Sequence, residues 1–406
     1  MAIVDAASPV DSLQAAADRA MMAGDPRSAA EHFQRAVVMA PDRVDLWIGL
    51  AACRRSQGER TGALEAIDRA LTLDPRCFPA LLMKGSLLES LGQGPAAAKV
   101  YGAAVALAPP EATLAQTTSK ALAHAREVHE AYGSDLVASL KLELGLGDAP
   151  PRSAEDKRLA IFIEALAGRR KIFHQEPMGF HYPGLPAIEF FEREEFAWIA
   201  ELEARTDDIR RELLAVWAPD SPELEPYINY ADSLPLDQWG PLNRSLDWSA
   251  YHLYLGGARV EPHCQACPAT MTAVDLIPQP DIPGRSPSAM FSILRPGTRI
   301  PPHTGVANTR AVVHLPLMVP EGCGFRVGGD TRQVREGEAW VFDDTIEHEA
   351  WNESAQPRAI LICDTWNPRL PLAEREAVAA VMAALDRFNG EIPATPASAG
   401  RQEPKP

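Results

Sequence analysis

The sequence predicts a multidomain α + β chain: an all-α repeat array first, then a compact all-β barrel or sandwich. Three observations carry this. A 34-residue period runs through residues 8–110, and short β-prone runs set between Gly, Pro, Asn and Asp turn signals fill residues 292–366. Amphipathic helical patterns flank the second region. The 406 residues exceed one typical core, and a 46% apolar content can fill more than one. A formal charge of −16 argues against nucleic acid or an anionic membrane as partner. The six cysteines are scattered, which fits a reducing compartment better than a disulfide scaffold. MAIVDAASPVDSLQ lacks a basic n-region and an apolar h-region, and no run is long and apolar enough to cross a bilayer. A soluble, cytoplasmic chain is the expectation.

Within residues 8–140, Gly24, Gly58 and Gly92 are 34 apart, and Pro41, Pro75 and Pro109 keep the same step. So do Ala29, Ala63 and Ala97, and Ala36, Ala70 and Ala104, while Phe33, Ile67 and Tyr101 fill one bulky position. Each unit reads as two helices, with Gly turning the chain, Ala allowing close approach and Pro stopping the second helix. The pattern resembles the tetratricopeptide repeat. One such unit cannot bury its own apolar face, so three repeats plus a capping helix over Ala121–Leu140 are expected. Such arrays present a groove to a peptide or protein partner; dimerisation into a homo-oligomer, or a spacer role, is the plainer alternative.

Residues 141–175 read as a turn-rich linker and a connecting helix, LAIFIEALAGRRKIF. A domain over 176–390 follows. Its first part predicts a long amphipathic helix with Phe196, Ile199, Leu202, Ile209, Leu213 and Val216 on one face, and Arg210, Arg211 and Glu212 on the solvated side. A Pro/Asp-rich loop then leads to DWSAYHLYLGGARV, a strand pair around Gly256-Gly257. After Trp366 the pattern is a C-terminal amphipathic helix, and the Pro-rich tail at 391–406 is expected to be disordered.

Inside the β-region, His303 follows a Pro-Pro turn, His348 stands at a strand end 45 positions later, and Arg358 starts the next strand. Two imidazoles with a cation one strand away suit a metal holding an acidic co-substrate. Imidazole binds Fe(II), and Arg grips a carboxylate through two parallel hydrogen bonds.

The set His303-Thr304-Gly305, Arg310, His314-Leu315, Gly337-Glu338, Phe342-Asp343-Asp344, Glu347-His348 and Asp364-x-Trp366 resembles the aspartyl/asparaginyl β-hydroxylases. The likeness is strongest over 288–370 and extends to Tyr182–Pro186 and Trp248. The resemblance implies a double-stranded β-helix (jelly-roll, cupin-like) domain with flanking helices, acting as an Fe(II)- and 2-oxoglutarate-dependent dioxygenase. It makes His303 and His348 the iron ligands, and gives Arg358 and Ser292 the distal carboxylate of 2-oxoglutarate. It puts His314 beside the chelating carboxylate, Arg310 on the wall of the cosubstrate or substrate pocket, and Trp248 on that pocket's wall or in the core.

Most oxygenases of this fold carry a third acidic ligand two residues after the first His, where this chain has Gly305; in this family two His ligands suffice. Members often carry a second basic residue where this chain has Val312, which bears on how a substrate carboxylate is held. Asp343 and Asp344 read as structural, as Asp does where a strand ends in a turn. Cys264-x-x-Cys267 lacks the second pair that a zinc site needs. His174, His181, His252 and His263 have no motif around them and read as structural or exposed.

The implied reaction is hydroxylation of the β-carbon of Asp or Asn in a peptide or protein recruited by the repeats. The rival readings are an interaction protein with an inactive β-domain, a related oxygenase acting on a small molecule or lipid, and a halogenase with chloride in the vacant position.

Overall fold

The computed structural model describes residues 8–147, 153–218, 221–231, 233 and 235–389; the tail expected to be disordered lies outside them. The chain divides into two compact units, Met1–Arg170 and Lys171–Pro406.

In the first unit the helix pairs α1 (Pro9–Met22) and α2 (Pro26–Met39), α3 (Val44–Ser56) and α4 (Arg60–Leu73), and α5 (Phe78–Ser90) and α6 (Gly94–Ala106) are the three repeats. Gly24, Gly58 and Gly92 take φ of +76°, +79° and +74° at the turn inside each pair, a left-handed geometry that costs glycine nothing. Pro9 and Pro26 occupy first-turn positions, and the Ser8 and Asp25 side chains cap α1 and α2 by accepting from Asp11 N and Ser28 N. The repeated alanines at 29, 63, 97, 36, 70 and 104 are all fully buried, so the helices meet at close range. The cap is longer than expected: α7 runs Gln116–Glu143. The connecting helix, α8 (Ala154–Leu166), also belongs with this unit instead of linking two domains. Ile163 and Ala167 bury against Val137 of α7, and that small apolar contact decides its allegiance.

The second unit is built on two antiparallel sheets. The larger has the order β1 (Glu225–Pro226), β2 (Trp248–Leu255), β4 (Ala289–Leu294), β11 (Arg358–Trp366), β6 (Arg310–Met318), β9 (Trp340–Phe342), with β3 (Ala258–Arg259) also on β2. The smaller has the order β5 (Thr298–His303), β10 (His348–Asn352), β7 (Cys323–Val327), β8 (Asp330–Gln333). The expected strand pair at Gly256-Gly257 is β2 and β3. Strands β4, β6 and β11 read as nearly continuous apolar runs because both faces of the larger sheet are covered.

On the outer face of that sheet, Phe291, Ile293, Val313, Leu315 and Leu361 pack with Phe196, Ile199, Leu202, Ile209 and Leu213. These come from α9 (Ile199–Ala204), α10 (Thr206–Val216) and the turn before them, while α11 (Glu261–Ala266) and α12 (Pro268–Val274) cover the neighbouring strands. Burying a side chain such as Phe291 stabilises by about 1.5–3 kcal/mol. C-terminal to the sheets runs α13 (Leu372–Asn389). No helix of the described residues is long and apolar enough to cross a membrane.

Two expectations need correction here. The long helix over the 190s to 216 is broken at Arg205, where Thr206 Oγ1 donates to the Glu203 carbonyl at 2.6 Å and competes with helix continuation. Of its solvated face, Arg211 is exposed, but Glu212 accepts from Ala269 N, Thr270 N and Thr270 Oγ1, and Arg210 Nε donates to the Leu317 carbonyl. Arg210 fastens the helical layer to β6 of the sheet, and Glu212 ties α10 to α12 within that layer.

Candidate active site

The two histidines converge. His303 ends β5 and His348 begins β10, and the register sets them directly opposite each other with ring centroids 4.0 Å apart. His303 Nδ1 lies 2.8 Å from the Pro301 carbonyl and His348 Nδ1 lies 3.0 Å from the Ile346 carbonyl. A carbonyl only accepts, so each ring carries its proton on Nδ1 and keeps its lone pair on Nε2. Burial holds both imidazoles below their ordinary pKa, hence neutral. Neutral imidazole is the form that ligates a metal.

The other residues expected at the site line the same 500 Å³ cavity: Trp248, Ser292, Arg310, His314 and Arg358. Alternation along β11 places Arg358, Ile360, Ile362, Asp364 and Trp366 on the cavity side, while Leu361 and Cys363 face the outer core. Arg358 is 2% exposed, and its Nε and Nη2 have no hydrogen-bond partner among the described residues. Burial pushes this guanidinium down to about 10, the mark of a cation with no anion beside it. Trp248 Nε1 donates to Ser292 Oγ at 3.0 Å, fixing the hydroxyl on β4 opposite Ile360, two positions along β11 from Arg358. His314 is also buried, with Nδ1 unpartnered and its pKa held well below the ordinary value by desolvation and by Arg358.

This donor set fits Fe(II) and 2-oxoglutarate. Two neutral imidazoles supply nitrogen ligands, and a dicarboxylate would satisfy the orphaned N–H groups of Arg358. Among the described residues no group of three or more His, Cys, Asp or Glu side chains is placed to hold a metal.

Gly305 shows why no third acid joins the pair. A Cβ at 305 would fall 2.0 Å from Asp344 Oδ2, and Gly305 N already donates to the Asp344 carbonyl at 2.6 Å. The two expected structural aspartates therefore differ. Asp343 accepts from Thr345 N and Oγ1 and from Gln175, a turn-stabilising role. Asp344 lines the cavity, is pushed up to about 6 by burial, and bonds Arg310 Nη2 at 3.0 Å through Oδ2 while Oδ1 is unpartnered. Arg310 Nη1 bonds Asp364 Oδ1 at 2.5 Å, and Ser286 Oγ donates to Asp364 Oδ2 at 2.8 Å. Sequence reasoning missed this charge cluster. The two-residue step from Arg358 along β11 was the available signal for Asp364.

The remaining candidates lie outside the cavity. Cys264 and Cys267 are free, buried thiols in the outer core, and Cys264 Sγ donates to the Leu253 carbonyl. His263 stacks on Tyr251 at 3.9 Å and its Nδ1 lies 2.6 Å from the His252 carbonyl, while His174 and His181 are exposed.

Residues 203–368 match the family model described as aspartyl/asparaginyl beta-hydroxylase, and residues 15–76 and 54–112 match a tetratricopeptide repeat model. The human aspartyl/asparaginyl beta-hydroxylase is 37% identical over 149 residues, 36% of this chain and 19% of that protein. The ornithine lipid ester-linked acyl 2-hydroxylase of Rhizobium tropici is 33% identical over 196 residues, 48% of this chain and 66% of that protein. Aspartate beta-hydroxylase domain-containing protein 2 of Xenopus tropicalis is 30% identical over 215 residues, 52% of this chain and 55% of that protein. The chain thus spans about a fifth of the human relative's length and less than two thirds of the others'. Residues 203–368, which carry the opposed histidines and most of the two-sheet frame, are thus similar to the aspartyl/asparaginyl β-hydroxylase family, and the helix pairs ahead of them to tetratricopeptide repeats.

Proposed function

We propose that the second unit is an Fe(II)- and 2-oxoglutarate-dependent hydroxylase, with His303 and His348 as the metal ligands through Nε2. The observation that carries this is one cavity holding two opposed neutral imidazoles and a buried guanidinium with no anion of its own. When iron and 2-oxoglutarate are bound, the chemistry supplied is insertion of one atom of dioxygen into a substrate C–H bond, with the other atom leaving in succinate beside carbon dioxide.

The chain's own residues place and shield. The Pro301 and Ile346 carbonyls fix the tautomer and ring orientation of the ligands. Arg358 holds the distal carboxylate of 2-oxoglutarate, with Ser292 beside it and His314 near the other end of the co-substrate. Phe325 and Phe342, packed 4.9 Å from the His314 ring, keep water from that side. The family name points to an Asp or Asn β-carbon in a peptide as the group oxidised, and one relative's name points to an ester-linked acyl chain. The repeats supply a surface for a peptide or protein partner, the usual office of such arrays.

The test is succinate formation from 2-oxoglutarate under air, together with the charge-transfer absorption of the anaerobic Fe(II)–2-oxoglutarate complex. Both should be present in the wild-type chain and absent in His303→Ala and His348→Ala. A wild-type chain showing neither, with iron and 2-oxoglutarate in excess, would retire this reading in favour of a partner-binding protein with an inert β-domain.

A further inference from the structure

We propose that the C–H bond oxidised at this site lies in an uncharged acyl chain laid along β11, and not on a carboxylate-bearing side chain. The inference rests on the hydroxylase reading above and narrows its substrate.

Charge is the first ground. Among the described residues the cations lining the cavity are Arg285, Arg310 and Arg358. Arg358 stands at the end of β11 opposite Trp366 and is the partner assigned to 2-oxoglutarate. Arg285 pairs with the buried carboxylate of Asp386 and lies over the Phe180 ring at 4.9 Å. Arg310 is bonded to both Asp344 and Asp364, one cation between two carboxylates. A substrate carboxylate docked there would be a third anion around one guanidinium in a site shielded from water, where like-charge repulsion is strong. The unpartnered Asp344 Oδ1 accepts only from a donor, so it too turns a carboxylate away. The next position on the same face of β6 is Val312, which lines the cavity and supplies no charge.

Shape is the second ground. Five alternate residues of β11, from Arg358 to Trp366, line the cavity, so it follows nine residues of strand, a rise of about 26 Å at ~3.3 Å per step, of which the Arg358 end is assigned to 2-oxoglutarate. Ile360 and Ile362 form its floor between the charged positions, and Met290 of β4 stands across from Ile362. At the Trp366 end the walls are Phe180, Pro280, Ile282 and Met382, and the hydroxyl of Ser286 there is already given to Asp364. A trough whose walls are mainly apolar suits a chain that gains more from burial than from hydrogen bonds.

The experiment loads the full chain with Zn(II) and 2-oxoglutarate and titrates it calorimetrically with monodecanoylglycerol below its micelle concentration. Parallel titrations use a short Asp-containing peptide and the matching Asn peptide. Fe(II)-loaded protein under air is then assayed with each for a +16 Da product. The expected result is saturable binding of monodecanoylglycerol and +16 Da on its decanoyl chain, with neither peptide modified. Met382→Trp, which fills the far end, should weaken monodecanoylglycerol binding by about tenfold and leave 2-oxoglutarate binding unchanged. Val312→Arg should shift preference toward the Asp peptide by about tenfold or more. Should either peptide bind and gain 16 Da while monodecanoylglycerol does not bind, the acyl-chain assignment is overturned. It is equally overturned if 2-oxoglutarate binds but monodecanoylglycerol does not. Binding of monodecanoylglycerol by a chain that takes up no 2-oxoglutarate would instead sink the hydroxylase reading and leave the trough assignment standing.

Discussion

A Cβ built on Gly305 would fall 2.0 Å from Asp344 Oδ2, so the side chain at 305 and the carboxylate at 344 compete for one space. In the fold's usual metal site an acid two residues after the first histidine is the third ligand. Here that ground is occupied from the neighbouring loop, and Arg310 holds the occupant in place.

Restoring the acid should therefore harm the enzyme. Gly305→Asp is expected to lose stability by about 1–3 kcal/mol through overpacking, and to fall well below the wild-type rate of succinate formation. Denaturant unfolding and a succinate assay check this. A variant more active than the wild type would show that the space is free after all.

His303→Ala and His348→Ala should each lower 2-oxoglutarate turnover by about a hundredfold or more while leaving the circular-dichroism signal of the repeat helices intact. The ligand assignment does not survive wild-type succinate release in either variant.

Arg358 is expected to behave as a buried cation awaiting an anion. Arg358→Leu should stabilise the ligand-free protein by about 1–3 kcal/mol, because it removes an unpaired buried charge, and abolish the rise in melting temperature that 2-oxoglutarate gives the wild type. Arg358→Ala should raise the apparent 2-oxoglutarate requirement by about 10–150-fold, the loss of a charged hydrogen bond. An unchanged titration curve would remove Arg358 from the co-substrate site.

The buried thiol of Cys267 predicts a pH dependence. Burial pushes it from 9.0 up to about 12, so between those values the unfolded chain loses this proton and the native chain keeps it. Native protein then binds more protons than unfolded, and stability from this group is intact below pH 9.0 and is lost as pH rises toward about 12. Cys267→Ala should flatten the fall in unfolding free energy across that window. In the native wild type at pH 8, Cys267 should resist alkylation; rapid labelling would mean that the outer core opens there.

Much of this was legible from residues alone. The 34-residue step fixed the helix pairs, because a left-handed turn accepts Gly24, Gly58 and Gly92 and helices in close contact accept only small side chains at 29, 63 and 97. The placement of α8 with the repeats was not legible. It depends on Ile163 and Ala167 meeting Val137, a contact with no local period to announce it. The break at Arg205 was hidden for the opposite reason, since the apolar positions continue in helical register across it while one threonine hydroxyl interrupts the backbone ladder.

By itself, the sequence determined the order of the units, the identity of the two histidines and the arginine, and the absence of an acid at 305, since these depend on residue type, spacing and motif. Tertiary structure alone decided what that glycine means and what Arg310 is free to do. Asp344 reaches the cavity from another loop and Asp364 from another strand, 34 and 54 positions from Arg310, and the three charges meet only once the sheets have closed. Electrostatic energy depends on separation in space and on the shielding of the site from water, and neither is written in sequence distance.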